Sequence, residues 1–133
     1  MENENPNSKY RILVVDDQLS MRLVYQDIIQ FEGYRTEMAE DGKEGLEKYM
    51  AAERGGDWFD AVVTDLRMPN MDGEGLLQNI IKYDPAALVY ITTADADKQP
   101  LVEQLLKLGA KQVLLKGKFG ELISGLRHDL KEV

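Results

Sequence analysis

Three aspartates carry the chemistry open to this chain. Asp16 and Asp17 follow an unbroken apolar run, Ile12-Leu13-Val14-Val15, and Asp65 ends a second one, Ala61-Val62-Val63-Thr64. Such runs are typical of strands covered on both faces of a sheet. Two of them would deliver three carboxylates to the same sheet edge. Like charges held close resist ionising together and raise each other's pKa. A bound cation or a nearby ammonium group relieves that repulsion, and oxygen-only ligands suit a hard ion such as Mg²⁺. The pattern implies a divalent metal held beside a reactive carboxylate.

Positioning these groups takes five strand–helix units. Strands are expected at residues 10–15, 34–39, 60–65, 88–92 and 112–115. Helices are expected at 19–32, 42–54, 73–83, 99–108 and 119–131. In the first helix Met21, Val24, Ile28 and Phe31 are spaced three and four apart and predict the inward face. Leu76, Leu77, Ile80 and Ile81 do so for the third, and Phe119, Leu122, Ile123, Leu126 and Leu130 for the fifth. Gly33 and Gly109 stop helices, and Pro100 suits a first helical turn. Strands alternating with helices predict an α/β fold, a parallel sheet with helices on both sides. In such sheets the crevice lies beyond the carboxyl ends of the strands. Asp16, Asp17, Asp65, Thr92, Thr93 and Lys116 all fall at those ends, from four separate strands.

The chain has 133 residues, enough for one domain with a proper core, and is 44% hydrophobic and 30% charged. No apolar stretch approaches the roughly 20 residues a bilayer span needs, so no membrane insertion is expected. The polar, acidic start does not resemble a signal peptide. Residues 1–8 read as a flexible tail and 9–133 as the domain. The absence of cysteine excludes disulfides and thiolate chemistry, and cytoplasmic residence is the default. A net charge of −8 disfavours direct nucleic-acid binding. Residues 98–133 are nonetheless basic, with seven Lys/Arg against four Asp/Glu. Helix 4 (99–108) carries Leu101, Val102, Leu105, Leu106 and Leu108, more apolar surface than one sheet-facing stripe needs, which marks a candidate interface.

Taken together, Ile12-Leu-Val-Val-Asp-Asp17, Glu40-Asp-Gly42, Ala61-Val-Val-Thr-Asp65, Met68-Pro-Asn-Met-Asp-Gly73, Thr93-Ala94, Gly109-Ala110 and Lys116 resemble the receiver domain of two-component response regulators. The match runs from about residue 9 to residue 130. It implies a flavodoxin-like (βα)5 sandwich with strand order 2-1-3-4-5, the order of a chemotaxis member of the family. It implies that Asp65 is the phosphoacceptor, an aspartate that forms an acyl phosphate. It implies Mg²⁺ bound by Asp16, Asp17, Asp65 and the backbone carbonyl of Arg67, with Thr93 and Lys116 contacting the phosphoryl group. The implied donor is a sensor histidine kinase or phosphotransfer protein. The implied output, to a partner or a second copy, is the face of helix 4, strand 5 and helix 5. A receiver is a phosphoacceptor that takes part in its own phosphorylation, not a turnover enzyme.

The chain departs from the family at three places. Gly117 follows Lys116 where proline, often cis, is usual; a cis bond before a non-proline residue costs about 2.5–4 kcal/mol, so a trans bond is expected. Val113 stands where an aromatic ring is common. Arg67 and Asp95, two residues after Asp65 and Thr93, have opposite charges and would pair across the site to shield the acyl phosphate. His128 reads as a surface residue. Two other functions remain open: a phosphorylation-independent binding module of receiver shape, and an aspartyl-phosphate phosphatase. The latter usually carries an acid/base Asp where this chain has Arg67.

Overall fold

The computed structural model describes residues 6–131. Its elements in chain order are β1 (Arg11–Val15), α1 (Leu19–Phe31), β2 (Arg35–Ala39), α2 (Gly42–Gly55), β3 (Ala61–Asp65), α3 (Gly73–Tyr83), β4 (Val89–Thr93), α4 (Gln99–Lys107), β5 (Gln112–Leu115) and α5 (Phe119–Leu130). All strand pairs are parallel, in the order β2-β1-β3-β4-β5. The fold is the flavodoxin-like α/β sandwich expected from the sequence. Of the residues read as a tail, 1–5 lie outside the described residues, and Pro6–Lys9 forms a short 3-10 turn. Arg35 Nε donates to the Ser8 carbonyl at 2.9 Å there.

The central strands are apolar on both faces because both faces are covered. Alternate side chains of a strand point to opposite sides. Leu13, Val15, Val62, Val89 and Ile91 pack with Tyr49 of α2, Leu76, Leu77 and Ile80 of α3, and Leu105 of α4. Ile12, Val14, Ala61, Val63 and Tyr90 pack with Tyr25 and Ile29 of α1 and with Leu122, Ile123, Leu126 and Leu130 of α5.

Helix α1 departs from the expected inward face. Tyr25 and Ile29 are its buried residues, with Met21 and Ile28 beside them, whereas Val24 is exposed and Phe31 is 87% exposed. Two apolar stripes overlap on this helix, both at spacings of three and four. Periodicity alone does not choose between them; packing of the helix between the sheet and Phe119 of α5 does.

Local chemistry fixes the helix ends next to the site. Asp72 caps α3, its carboxylate accepting from the Gly75 amide at 2.9 Å. Gly73 starts α3 directly beneath the end of β3: a Cβ there would lie 2.3 Å from the Asp65 carbonyl oxygen. Its amide donates to the Leu66 carbonyl at 2.7 Å. Any side chain at this position would push α3 away from the end of β3. Helix α1 begins differently, with Gln18 at the cap position and no side-chain capping bond.

Candidate functional site

The sheet ladders run one residue past the strands and bring the site together. The Asp16 amide donates to the Ala39 carbonyl at 3.1 Å, the Leu66 amide to Thr92 at 3.1 Å, and the Lys116 amide to Thr93 at 3.0 Å. Asp65, last in β3, stands opposite Thr92 of β4. Thr93, last in β4, stands opposite Leu115, the residue before Lys116. Parallel register therefore sets Asp16, Asp65, Thr93 and Lys116 along one edge.

Oxygens of Asp16, Asp17 and Asp65 lie within 4.8 Å of one another. Asp16 is 1% exposed and Asp65 8%, while Asp17 faces solvent. One oxygen of each buried carboxylate is fixed by main chain: Asp16 Oδ1 accepts from the Gln18 amide at 2.9 Å, and Asp65 Oδ1 from the Leu66 amide at 2.8 Å. The second oxygens turn toward Lys116. Its Nζ donates to Asp65 Oδ2 at 3.0 Å and lies 3.2 Å from Asp16 Oδ2. The second of these is an ion pair without hydrogen-bond alignment, so Asp16 Oδ2 is a sealed carboxylate oxygen with no hydrogen bond.

The charges respond as burial and proximity require. Burial, with the neighbouring Asp65 charge, pushes the Asp16 carboxyl above the usual carboxylate range, against the pull of the Gln18 amide and Lys116. Burial would pull the Lys116 ammonium down, but the hydrogen bond and charge of Asp65, together with Asp16, hold it above its ordinary value. A buried carboxylate oxygen without a bond beside two further carboxylates is a donor set that fits a hard divalent cation. Asp16, Asp17 and Asp65 are the side chains that would hold one.

Around this core the remaining residues fall as follows. Thr93 is 2% exposed, and its hydroxyl accepts from the Asp95 amide at 3.1 Å, leaving its own hydrogen to donate. Thr92 is buried on the other sheet face and reaches the Thr64 carbonyl at 3.4 Å. Arg67 is exposed on the loop after β3 and donates to Asp95 Oδ2 from Nε at 3.3 Å and from its terminal nitrogen at 3.0 Å. Lys98 also approaches Asp95, at 3.4 Å. The hydrogen bonds from Arg67 and Lys98 hold the Asp95 carboxyl below its usual range. No peptide bond among the described residues is cis, so Lys116–Gly117 is trans, and Gly117 takes a left-handed φ of 92°. Val113 is half-buried on β5, and His128 is exposed, 3.1 Å from Asp129 Oδ1.

Sequence reading passed over Arg22, whose guanidinium donates to the Asp16 carbonyl at 2.7 Å and braces the acidic loop from the first turn of α1. An Arg six residues after a metal-type aspartate, one turn into the following helix, was the available signal. It also passed over Tyr25, buried behind the site.

Comparison with known proteins agrees with this geometry. The response regulator receiver domain model matches residues 12–127. The chemotaxis protein CheY of Treponema pallidum is 40% identical over 115 residues, covering 85% of this chain and 77% of that protein. CheY of Thermotoga maritima is 36% identical over 107 residues, covering 80% and 84%. Among solved structures, the CheX–CheY complex with beryllofluoride and magnesium from Borrelia burgdorferi superposes with a TM-score of 0.83 at 29% identity, over 92% of this chain and 90% of that one. The response regulator TrrA of Thermotoga maritima with Mg²⁺ and beryllofluoride gives 0.79 at 30% identity, over 91% and 99%. The chain belongs to the response regulator receiver family and is of the CheY-like type used in two-component signalling. No helix among the described residues is long and apolar enough to cross a membrane.

Proposed function

We propose that this receiver accepts a phosphoryl group on Asp65 in an Mg²⁺-dependent reaction and relays it as a change of surface. The observation that carries this reading is the ammonium of Lys116 bridging two buried carboxylates, 3.0 Å from Asp65 and 3.2 Å from Asp16. That arrangement stores a cation next to an acceptor that will gain anionic charge.

In the transfer, an Asp65 oxygen forms the new bond to phosphorus as the donor's bond to phosphorus breaks, its electron pair leaving with the donor. Asp16, Asp17 and Asp65 would hold Mg²⁺, with the Arg67 carbonyl completing the protein ligands. When bound, the ion neutralises charge on the phosphoryl oxygens. Lys116 turns its ammonium from the carboxylates to the phosphoryl group. Thr93 donates its free hydroxyl hydrogen to a phosphoryl oxygen. Arg67 and Asp95, paired over the mouth of the site, restrict water and so lengthen the life of the acyl phosphate.

The donor is a sensor histidine kinase or a phosphotransfer protein. Leu19 and Leu23, exposed on α1 just after Asp17, give such a partner an apolar platform beside the acceptor. Output leaves through α4, β5 and α5, where Leu106 and Leu115 are exposed and the sequence is basic. With Val113 in place of an aromatic ring, the output change does not turn on a rotamer at that position.

Intact-mass spectrometry after incubation with acetyl phosphate tests the reading. The expected result is one added phosphoryl group that requires Mg²⁺ and is lost in Asp65→Asn. No adduct with acetyl phosphate, and no response to beryllofluoride, would overturn it in favour of a binding module that works without phosphorylation.

A further inference from the structure

The loop between β3 and α3 is held at its base and strained at its crest. At the base, the Gly73 amide donates to the Leu66 carbonyl at 2.7 Å, and the Leu66 amide donates to the Thr92 carbonyl. At the crest, the Met71 amide closes a three-residue turn on the Pro69 carbonyl, also at 2.7 Å. Asn70 is the middle of that turn, with a φ of 67°, and no other non-glycine among the described residues has a positive φ. A three-residue turn of this hand is rare and strained. Such strain persists only where the surroundings impose it.

Here the surroundings are the start of α2. The Asn70 side-chain amide donates to Asp41 Oδ2 at 2.7 Å. Asp41 Oδ1 accepts from the Glu44 amide at 2.8 Å and so caps α2. One carboxylate thus holds the helix with one oxygen and the turn with the other. The Glu44 amide, and after it Asn70, hold its carboxyl below the usual range. Beside them the Gly42 amide donates to the Met71 carbonyl at 2.9 Å, an approach so close that a Cβ on Gly42 would lie 2.4 Å from that oxygen. Between the anchored Leu66 and the anchored Asn70 lie only Arg67, Met68 and Pro69. Among the described residues, the main-chain groups of Arg67 and Met68 bond to no other main chain. With Met68 resting on the core, the direction of the Arg67 carbonyl follows from how the two ends of this span are pinned.

We propose that Asp41 and Asn70 are positioning residues for the divalent metal: their hydrogen bond pins the turn at Asn70 to the start of α2 and thereby fixes the Arg67 carbonyl for the ion. The inference rests on the receiver reading above, in which that carbonyl is a ligand. The bond lies at the surface, where one hydrogen bond adds little to folding. It acts on the loop instead. Without its partner, Asn70 would leave the strained turn for an ordinary backbone geometry, and the carbonyl three residues earlier would swing with it.

Two variants remove this bond from opposite ends. Asn70→Gly takes away the amide and keeps the positive φ accessible. Asp41→Ser keeps an oxygen to cap α2 and leaves none for Asn70. Wild type, both variants and the double variant are titrated with Mg²⁺ in the absence of any phosphoryl donor, following the Leu66 amide resonance, and are melted in EDTA. Each single variant is expected to bind Mg²⁺ about fivefold more weakly, as for one lost hydrogen bond. Asn70→Gly is expected to melt where wild type does, because relief of strain offsets the added freedom of the unfolded chain. The double variant should bind no more weakly than either single one, since all three lack the same bond. Wild-type affinity in either single variant would overturn the proposal. So would a double variant whose loss is the product of the two single losses, by showing two separate effects. Failure of the receiver reading itself appears separately, as a wild type that binds no Mg²⁺, and overturns this inference with it.

Discussion

Lys116 Nζ lies 3.2 Å from Asp16 Oδ2, an oxygen that is buried and makes no hydrogen bond. The lysine thus neutralises Asp16 as well as Asp65, the proposed acceptor, and its removal strips both of their counter-charge. Lys116→Met is expected to slow labelling of Asp65 by acetyl phosphate by about a hundredfold, at the lower end of what loss of a charge-stabilising donor costs. A time course by intact mass, at saturating Mg²⁺, measures it; an unchanged rate would remove Lys116 from the transfer step.

Asp16 predicts an inverted response to metal. Burial and Asp65 raise its folded-state pKa, so it contributes stability only while protonated, and that contribution is lost as pH rises through the raised value. At neutral pH the wild type carries the cost of an ionised buried carboxylate. In metal-free buffer Asp16→Asn should therefore melt a few degrees higher than wild type, on the scale of about 1 kcal/mol. Saturating Mg²⁺ should raise the wild type by several degrees more and leave the variant unmoved, since a ligand bound at 100 times its Kd adds about 2.7 kcal/mol. Thermal melts with EDTA and with Mg²⁺ decide the matter.

The Arg67–Asp95 pair is exposed and adds little to stability. Its expected effect is on lifetime. Arg67→Ala should shorten the half-life of the phosphorylated protein severalfold while the melting temperature stays the same. If decay of the phosphoryl adduct, followed by mass after donor removal, is as slow as in wild type, the pair does not shield the site.

Asp129 joins α5 to the sheet: its Oδ2 accepts from the buried hydroxyl of Tyr90, and its side chain is 8% exposed. Burial works against its charge, but Tyr90, His128 and Lys111 together lower its pKa. A lowered carboxylate contributes stability above the unfolded value of about 3.9 and loses it as pH falls through the folded one. Asp129→Ala should cost about 1–3 kcal/mol at pH 7, because it leaves the phenol unpartnered, and part of that gap should close in acid. Urea unfolding at pH 7 and pH 3 tests this; a gap of the same size at both would rule out the charge.

Much of the fold was legible because the strands and helices announce themselves separately. Ile12–Val15 and Ala61–Thr64 are unbroken apolar runs that only a doubly covered strand explains, and the third and fifth helices each carry a single apolar stripe. Residues 73–83 and 112–115 were read with the bounds they have. Helix α1 was different. It carries apolar residues around much of its circumference, so the choice of Tyr25 and Ile29 over Val24 and Phe31 was left to packing. Strand order came from resemblance, since local periodicity does not record which strands are neighbours.

The sequence by itself determined that acidic residues gather at the carboxyl ends of parallel strands, because strand ends are local and a parallel sheet aligns them. The resemblance to the receiver family, not the sequence alone, marked Gly117 and Val113 as departures from the family pattern. Tertiary structure decided what faces what. The placement of Lys116 between Asp16 and Asp65, the bracing of the Asp16 carbonyl by Arg22, and the packing of the Tyr25 ring on Phe119 join segments up to about a hundred residues apart. Such contacts are set by the register of the sheet and the packing of helices across it, and neither is written in the spacing of any one segment.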